Sequence, residues 1–347
     1  MATAATKSKK TRQQGRPSDR LTDEQLLRFY KTMVLGRKVD ERSWVMNRQG
    51  RAPFHISGIG HEAIQVAAAA TLRPGYDWLY PYYRDLAFVL AMGMTPADHF
   101  LGLLGKAGDP SSNGIQMPSH YSNAKLRIGS ISSPVATQVP IAAGTALASK
   151  LKGTDEVTVV CLGEGSTSQG DFHEGLNWAG VHKLPFICIV QNNQYAISVP
   201  IEKEMAVKNV ADRAIAYGIA GVVVDGNDVL ACYDVMYEAV QRARNGEGAT
   251  LVEAKTYRIT PHSSDDDDRT YRSREEVEKW KKRDPILMFE KALFGRGIIN
   301  DELKQEIENW AVAEVDAAEE EAVGAPYPDV SEMTRHLYGS MPNWEED

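Results

Sequence analysis

Between residues 136 and 259 the chain alternates between short apolar runs and longer stretches of helical character. The pattern predicts helices over 140–152, 171–183, 209–217 and 229–244, and strands over 156–162, 186–190, 222–224 and 251–259. Two of the strand segments, Val157-Thr158-Val159-Val160-Cys161-Leu162 and Phe186-Ile187-Cys188-Ile189-Val190, are almost continuously apolar. A sheet with one wet face would alternate polar and apolar residues; unbroken apolarity is expected when helices cover both faces. The predicted fold is therefore α/β, a three-layer, doubly wound parallel sheet. Residues 21–130 read as helices and irregular segments, including an Ala-rich run over 62–72, and two further helices are expected at 275–294 and 301–322. The last is expected to fray, because Glu319-Glu320-Glu321 opposes the helix dipole at its carboxyl end.

Ligands of such sheets gather at the carboxyl ends of the strands. Two polar segments lie there: Gly163-Glu164-Gly165 after the first apolar run and Gln191-Asn192-Asn193-Gln194-Tyr195-Ala196 after the second, with Glu164 and Asn193 29 positions apart. One intervening helix brings the carboxylate and the amide side by side, and two hard oxygen ligands so placed suit Mg²⁺ holding a diphosphate. Neither half is diagnostic alone, since glycine turns are common in α/β proteins and Asn is a frequent turn former. Together, with strand, turn, helix and strand filling the interval, they resemble the thiamine diphosphate motif, G-D-G followed at the next strand end by N-N. Glu164 stands here for the Asp and keeps the carboxylate.

Four further segments extend the resemblance: Tyr82-Tyr83-Arg84-Asp85, Gln116-Met117-Pro118-Ser119-His120-Tyr121, Ile131-Ser132-Ser133-Pro134-Val135-Ala136-Thr137-Gln138 and Pro261-His262-Ser263-Ser264-Asp265-Asp266. In this order they resemble the alpha subunit of the thiamine diphosphate-dependent decarboxylating component of 2-oxo acid dehydrogenase complexes, from about Leu21 to Trp344. The resemblance implies that Glu164, the Asn193 side-chain oxygen and the Tyr195 carbonyl hold Mg²⁺, and that Tyr83, Arg84, Gly165 and Ser166 contact the diphosphate. Ser133 and Val135 match positions against the aminopyrimidine, Val135 as an apolar wedge that keeps the cofactor bent. His262 matches a loop histidine that contacts phosphate and donates a proton during acyl transfer, and His120 is a second candidate of that kind. Read without the family, Arg84 and Asp85 would be a solvated pair and His262 a solvated loop residue. Gln191 stands where some members have an Arg gripping the diphosphate; its amide can still donate hydrogen bonds. Some relatives hold K⁺ at the positions of Ser132, Pro134, Thr137 and Gln138, and in animal relatives the Ser263 position is phosphorylated.

The implied reaction is oxidative decarboxylation of a small 2-oxo acid with acyl transfer to the lipoyl group of a transacylase. The loop from Pro261 to Asp268, with Tyr271 and Arg272, looks more like branched-chain members, acting on 3-methyl-2-oxobutanoate, than like those acting on pyruvate or acetoin. Only one α/β sheet is evident, whereas the carboxylate that activates the cofactor's pyrimidine normally comes from a second. A beta subunit is therefore implied, in a heterotetramer of two alpha and two beta chains. The non-enzymatic alternative is a nucleotide-binding assembly subunit, but Gly163-Glu164-Gly165 lacks the third glycine of a dinucleotide fingerprint and no G-x-x-x-x-G-K occurs.

Charge supports these expectations. Residues 1–20 carry six Lys or Arg and one acid, so with a net charge of -8 overall the remainder is near -13. A body that acidic argues against nucleic-acid binding. The first 20 residues contain no Leu, Ile, Val or Phe and read as a flexible basic tail, too little amphipathic for a mitochondrial transit peptide, ahead of a single domain over 21–347. No stretch approaches the ~20 apolar residues of a membrane span. Cys161, Cys188 and Cys232 read as buried thiols of a reducing compartment. The expectation is a cytoplasmic protein, or one of the mitochondrial matrix in a eukaryote.

Overall fold

The computed structural model describes residues 15–334. Helix α1 (Asp23–Arg48) is followed by α2 (Glu62–Ala69), strand β1 (Trp78–Tyr80), α3 (Leu86–Ala91), α4 (Pro96–Leu103) and α5 (Gln138–Lys152). Then come β2 (Thr158–Gly163), α6 (Gly170–Val181), β3 (Phe186–Asn192), the small hairpin β4 (Tyr195–Ala196) and β5 (Val199–Pro200), and α7 (Ile201–Glu204). The chain continues through β6 (Ala220–Asp225), α8 (Val229–Arg244), β7 (Thr250–Lys255), α9 (Arg274–Lys281), α10 (Pro285–Gly295) and α11 (Asp301–Gly324). Among the described residues the main sheet has the order β1-β2-β3-β7-β6 and every pairing in it is parallel.

The pleat sends alternate strand residues to opposite faces, and both faces are dry. Val159, Cys161, Ile187, Ile189, Val252 and Ala254 join one apolar cluster with the helices at both ends of the chain, while Val160, Leu162, Cys188, Val190 and Leu251 join another with α5 and α6. The two clusters make the three layers expected from the unbroken apolarity. All three cysteines are free and buried.

Several expectations need correction. The stretch 209–217 is a 3-10 helix, Val210–Tyr217, rather than an α-helix. The helix expected at 275–294 is two, because Pro285 cannot continue one already running; it opens α10 instead, where Asp284 accepts from the Ile286 N–H at 2.9 Å. The acidic end of α11 does not fray: the helix reaches Gly324, with Glu319 held by Arg42 and Arg51 and Asp316 paired with Arg42. The basic tail is shorter than expected, since Pro17–Arg20 forms a 3-10 turn in which Ser18 donates from its N–H and hydroxyl to Asp234 on α8, at 2.7 and 3.0 Å. Residues 1–14 and 335–347 lie outside the described residues. Strand β1 was not anticipated, because three residues are too few to show a period.

Asp77 anchors that short edge strand. Its fully buried carboxylate accepts from the N–H groups of Arg73 and Val157 at 2.7 and 2.9 Å, and from Arg244 of α8 at 2.6 and 3.0 Å. Asp77→Ala would strand these donors and is expected to destabilise the protein by roughly 3 kcal/mol, measured by denaturant unfolding; a change below ~1 kcal/mol would show the anchor to be dispensable.

Candidate active site

Gly163 of β2 lies opposite Gln191 of β3, so Glu164 and Asn193 leave the sheet as neighbours. The Asn193 N–H donates to Glu164 Oε2 at 2.9 Å. The other oxygen, Oε1, is buried without a hydrogen-bond partner. Burial pushes this carboxyl above its ordinary range, more than the Asn193 N–H, Arg258 and Arg84 pull it down. A buried, unbonded carboxylate oxygen is rare in a folded protein and leaves a lone pair free to take a ligand.

Asn193 is oriented by a residue that sequence reasoning missed. His61 is fully buried and its imidazole is pushed down to about 3, chiefly by burial and then by Arg84, so the ring is neutral at physiological pH. Its Nδ1 faces the Gly58 carbonyl at 3.2 Å and must donate there, leaving Nε2 to accept from Asn193 Nδ2 at 3.3 Å. That turns Asn193 Oδ1 away from His61, toward the Tyr195 N–H at 3.3 Å. The Tyr195 carbonyl accepts from Arg258 at 3.3 Å. Backbone conformation is costly in this turn: Gln194 and Ile197 sit at φ 77° and 56°, unusual for non-glycine residues and most of all for a β-branched one. Gly165 is required by packing, because a Cβ there would come within 2.6 Å of the Ala196 Cβ.

Arg84 is not the solvated residue that its sequence neighbourhood alone suggests. It is 1 % exposed, donating to the Ser57 carbonyl at 2.7 Å and to both the ring Nδ1 and the carbonyl of His262 at 3.0 Å. Arg258 is also fully buried and donates to the carbonyls of Tyr195 and Ile197 and to the Tyr271 hydroxyl. Among the described residues neither guanidinium pairs with a carboxylate. His262 is pushed down to about 3 by burial, then by Arg84 and Arg258. The aspartate run is only partly solvated. Asp266 accepts from the His262 N–H at 2.7 Å and from Tyr271, and buried Asp268 pairs with Arg272 and Arg274. Ser263 is buried as well.

Part of this arrangement walls a cavity of about 530 Å³ at the carboxyl end of the sheet, with Arg258 and His61 behind the wall. Tyr83, Arg84, His120, Ser133, Val135, Glu164, Gly165, Ser166, Asn193, Tyr195 and His262 all contribute to its wall. His120 Nε2 lies 2.8 Å from the Ser133 hydroxyl. Phe54, Ile56 and Met117 add an apolar wall that no periodicity announced. Gln191 is not on the wall: its amide donates to Asp85 beneath the cavity, and its oxygen accepts from Gln65 at 3.0 Å. Of the segment around the start of α5, Ser133 and Val135 are on the wall, whereas Ser132, Pro134, Thr137 and Gln138 are not. Ser132, Thr137 and the Pro134 carbonyl bond one another, and Gln138 donates to the Cys161 carbonyl at 3.0 Å with its own Oε1 buried and unpartnered. A larger open cleft of about 860 Å³ lies at the amino ends of β6 and β7, beside α8, with arginines and carboxylates interspersed. The 530 Å³ cavity is the stronger site, because it alone of the two combines buried charge with strand carboxyl ends.

The protein-family model for the dehydrogenase E1 component matches residues 30–331. The chain is 51 % identical over 318 residues to the 2-oxoisovalerate dehydrogenase subunit alpha of Bacillus subtilis, covering 92 % of this chain and 96 % of that protein. It is 40 % identical over 321 residues to the 3-methyl-2-oxobutanoate dehydrogenase subunit alpha of Mycobacterium tuberculosis, covering 92 % and 84 %. It is 39 % identical over 323 residues to the pyruvate dehydrogenase E1 component subunit alpha of Staphylococcus aureus, covering 93 % and 84 %. With a five-stranded parallel sheet carrying the site and a family match over most of its length, the chain belongs to the dehydrogenase E1 component family.

Proposed function

We propose that this chain is the alpha subunit of a branched-chain 2-oxo acid dehydrogenase E1 component, which binds thiamine diphosphate through Mg²⁺. It oxidatively decarboxylates acids such as 3-methyl-2-oxobutanoate and passes the acyl group to a lipoyl group on a transacylase. The observation that carries this reading is the charge pattern at the cavity: one buried carboxylate with a free oxygen and, on the same wall, the buried Arg84 guanidinium without a carboxylate partner, with Arg258, likewise unpaired, close behind the wall. A divalent cation answers the first and an anionic diphosphate the second. Glu164, Asn193 Oδ1 and the Tyr195 carbonyl would hold the metal, with phosphate and water oxygens completing the near-octahedral shell of Mg²⁺.

Bound thiamine diphosphate would supply a nucleophilic thiazolium carbon and an electron sink for the pair released with CO₂. The chain's own residues bind, orient and handle protons. Tyr83, Arg84, Gly165 and Ser166 would receive the diphosphate, and Ser133 and Val135 the pyrimidine end. Arg84 can only donate, so His262 Nδ1 must accept and the ring proton must sit on Nε2. His262 is thereby a neutral donor at the cavity wall, suited to phosphate contact and to giving up a proton in acyl transfer. His120, joined to Ser133, could assist on the side of Met117. Phe54, Ile56 and Met117 would enclose an aliphatic acyl chain larger than that of pyruvate, which supports the branched-chain substrate.

Glu164 and Glu204 are the carboxylates on the cavity wall; Glu164 is committed to the metal and Glu204 accepts from the Ser168 hydroxyl at 2.7 Å. The acid that activates the pyrimidine would come from a beta subunit, in an assembly of two alpha and two beta chains. Exposed Ile141 and Leu151 on α5 and Trp178 and Val181 on α6 support such a contact. Ser132, Pro134, Thr137 and Gln138, with the orphaned Gln138 oxygen, are the residues proposed for K⁺. No helix among the described residues is long and apolar enough to cross a membrane, and the three free thiols support a reducing, cytoplasmic setting.

Three outcomes are expected. Acceptor reduction by the copurified alpha and beta chains should require thiamine diphosphate and Mg²⁺ and favour 3-methyl-2-oxobutanoate over pyruvate; preference for pyruvate or acetoin would overturn the substrate. Glu164→Ala should abolish most turnover, by roughly a hundredfold, and weaken Mg²⁺ and thiamine diphosphate binding together in calorimetry; unchanged metal binding would sink the metal assignment. In cofactor-free protein the His262 ring, assigned with His262→Gln, should stay neutral from about pH 8 down to about pH 5 by ¹⁵N shifts. The lowered pKa means that protonation begins only in stronger acid, and Arg84→Gln should move it upward; titration near the ordinary 6.5 in the parent would contradict the burial and the Arg84 contact.

A further inference from the structure

The Asp40 carboxylate is buried within α1, and both of its oxygens are engaged on one short segment. Oδ1 lies 3.0 Å from His55 Nε2 and Oδ2 accepts from the Gly58 N–H at 2.6 Å, so Asp40 staples both ends of residues 55–58. Trp44 and His99 enclose the imidazole edge-on at 5.6 and 6.3 Å between ring centres. His99 is itself tied to Ser43 at 2.9 Å and faces the Tyr121 hydroxyl at 3.3 Å. None of Asp40, His55, Ser57 or Gly58 lines the cavity.

The stapled segment reaches His262 by two routes. The Ser57 carbonyl accepts from Arg84 at 2.7 Å, and Arg84 holds the ring nitrogen and the carbonyl of His262, each at 3.0 Å. Independently, His55 and Ser264 exchange a pair of bonds: the His55 N–H donates to the Ser264 hydroxyl at 3.1 Å, and the Ser264 N–H donates to the His55 carbonyl at 2.9 Å. The segment cannot slide toward Arg84, because even a Cβ on Gly58 would overlap the Arg84 carbonyl oxygen. His262 is thus gripped through its side chain and through its loop by four consecutive residues that depend on one carboxylate.

We propose that Asp40, acting with His55, is a positioning residue for His262, setting the place of the loop-borne imidazole through residues 55–58 without touching cofactor or substrate. This rests on the reading of His262 as the group that contacts diphosphate and donates a proton. Asp40→Asn keeps the shape of the side chain but loses the charge, and its N–H is accepted only if His55 moves its proton to the buried Nδ1, which has no acceptor. In the reconstituted alpha–beta complex it lowers turnover with a lipoyl-domain acceptor about tenfold while KM for 3-methyl-2-oxobutanoate stays within about twofold. The deciding comparison is made in a His262→Ala background, where a residue that acts only by placing His262 has nothing left to place. There Asp40→Asn is expected to cost nothing further; a further loss as large as in the parent would overturn the proposal and leave the His262 reading intact. Ser264→Ala, which removes one hydroxyl and leaves α1 untouched, serves where Asp40→Asn does not assemble. It is expected to show the same dependence on His262, and a loss independent of His262 counts equally against the proposal. His262→Ala alone reads the underlying assignment: unchanged lipoyl acylation would remove the role of His262, and with it the inference.

Discussion

Two guanidinium groups, Arg84 and Arg258, are buried close enough for each to shift the groups around the other, and neither is neutralised by a carboxylate among the described residues. Burying unpaired charge is among the most expensive things a fold can do, and it persists only where other groups solvate the charge. Here the solvating groups are backbone carbonyls: Ser57 and His262 for Arg84, Tyr195 and Ile197 for Arg258. The carbonyls of Ser57, Ile197 and His262 belong to irregular segments, and that of Tyr195 to the two-residue strand β4. The segments over 55–58, 195–197 and 258–262 therefore take their course around the two cations, and burial, reinforced by the residual positive potential, keeps His61 and His262 neutral.

The sheet supplies the fixed frame against which those loops are set. Register between β2 and β3 puts Glu164 and Asn193 adjacent, while covalent geometry forbids either from drifting by less than a full residue. The loops then add orientation to position: the neutral His61 ring turns the Asn193 amide, and Ala196 presses on Gly165. The Mg²⁺ proposed here, which tolerates little angular error, would call for this division of labour, with rigid strands placing its ligands and hydrogen bonds aiming them.

What could be read in the chain follows the same division. Alternation and unbroken apolarity disclosed the parallel sheet and its two covered faces, because strand and helix periods are local properties. The pairing of Glu164 with Asn193 was legible because one helix separates them. His61, His55 and Phe54 were not, since they lie in the irregular stretch before the sheet, where spacing along the chain says nothing about proximity in space; Asp40, on α1, was not because its partners lie in that same stretch. Trp78–Tyr80 was too short to register, and Arg84 was legible only through family likeness: its burial depends on Ser57 and His262, residues 27 and 178 positions away. The tail failed for a related reason. Composition alone favours disorder up to residue 20, but the contacts of Ser18 with Asp234 are set by a helix more than two hundred positions later.

Gln191 shows how a substitution at a charged position can be absorbed beneath a site. An arginine there, as in some relatives, would reach toward the phosphates. In this chain the amide turns down instead, donating to Asp85 and accepting from Gln65, whose other hydrogen goes to the Arg84 carbonyl at 2.9 Å. Asp85 is fully buried, and its carboxyl is pushed up to about 6 by that burial against the opposing pull of Gln191, the Tyr82 N–H and Cys161. On the proposed reading the chain gives up one direct positive contact, while the amides of Gln191 and Gln65 tie Asp85 to the backbone of Arg84, which would face the ligand. Affinity for an anion depends on how little the receiving charge must move as well as on how many charges there are, so a braced Arg84 can recover part of what the missing arginine would have contributed.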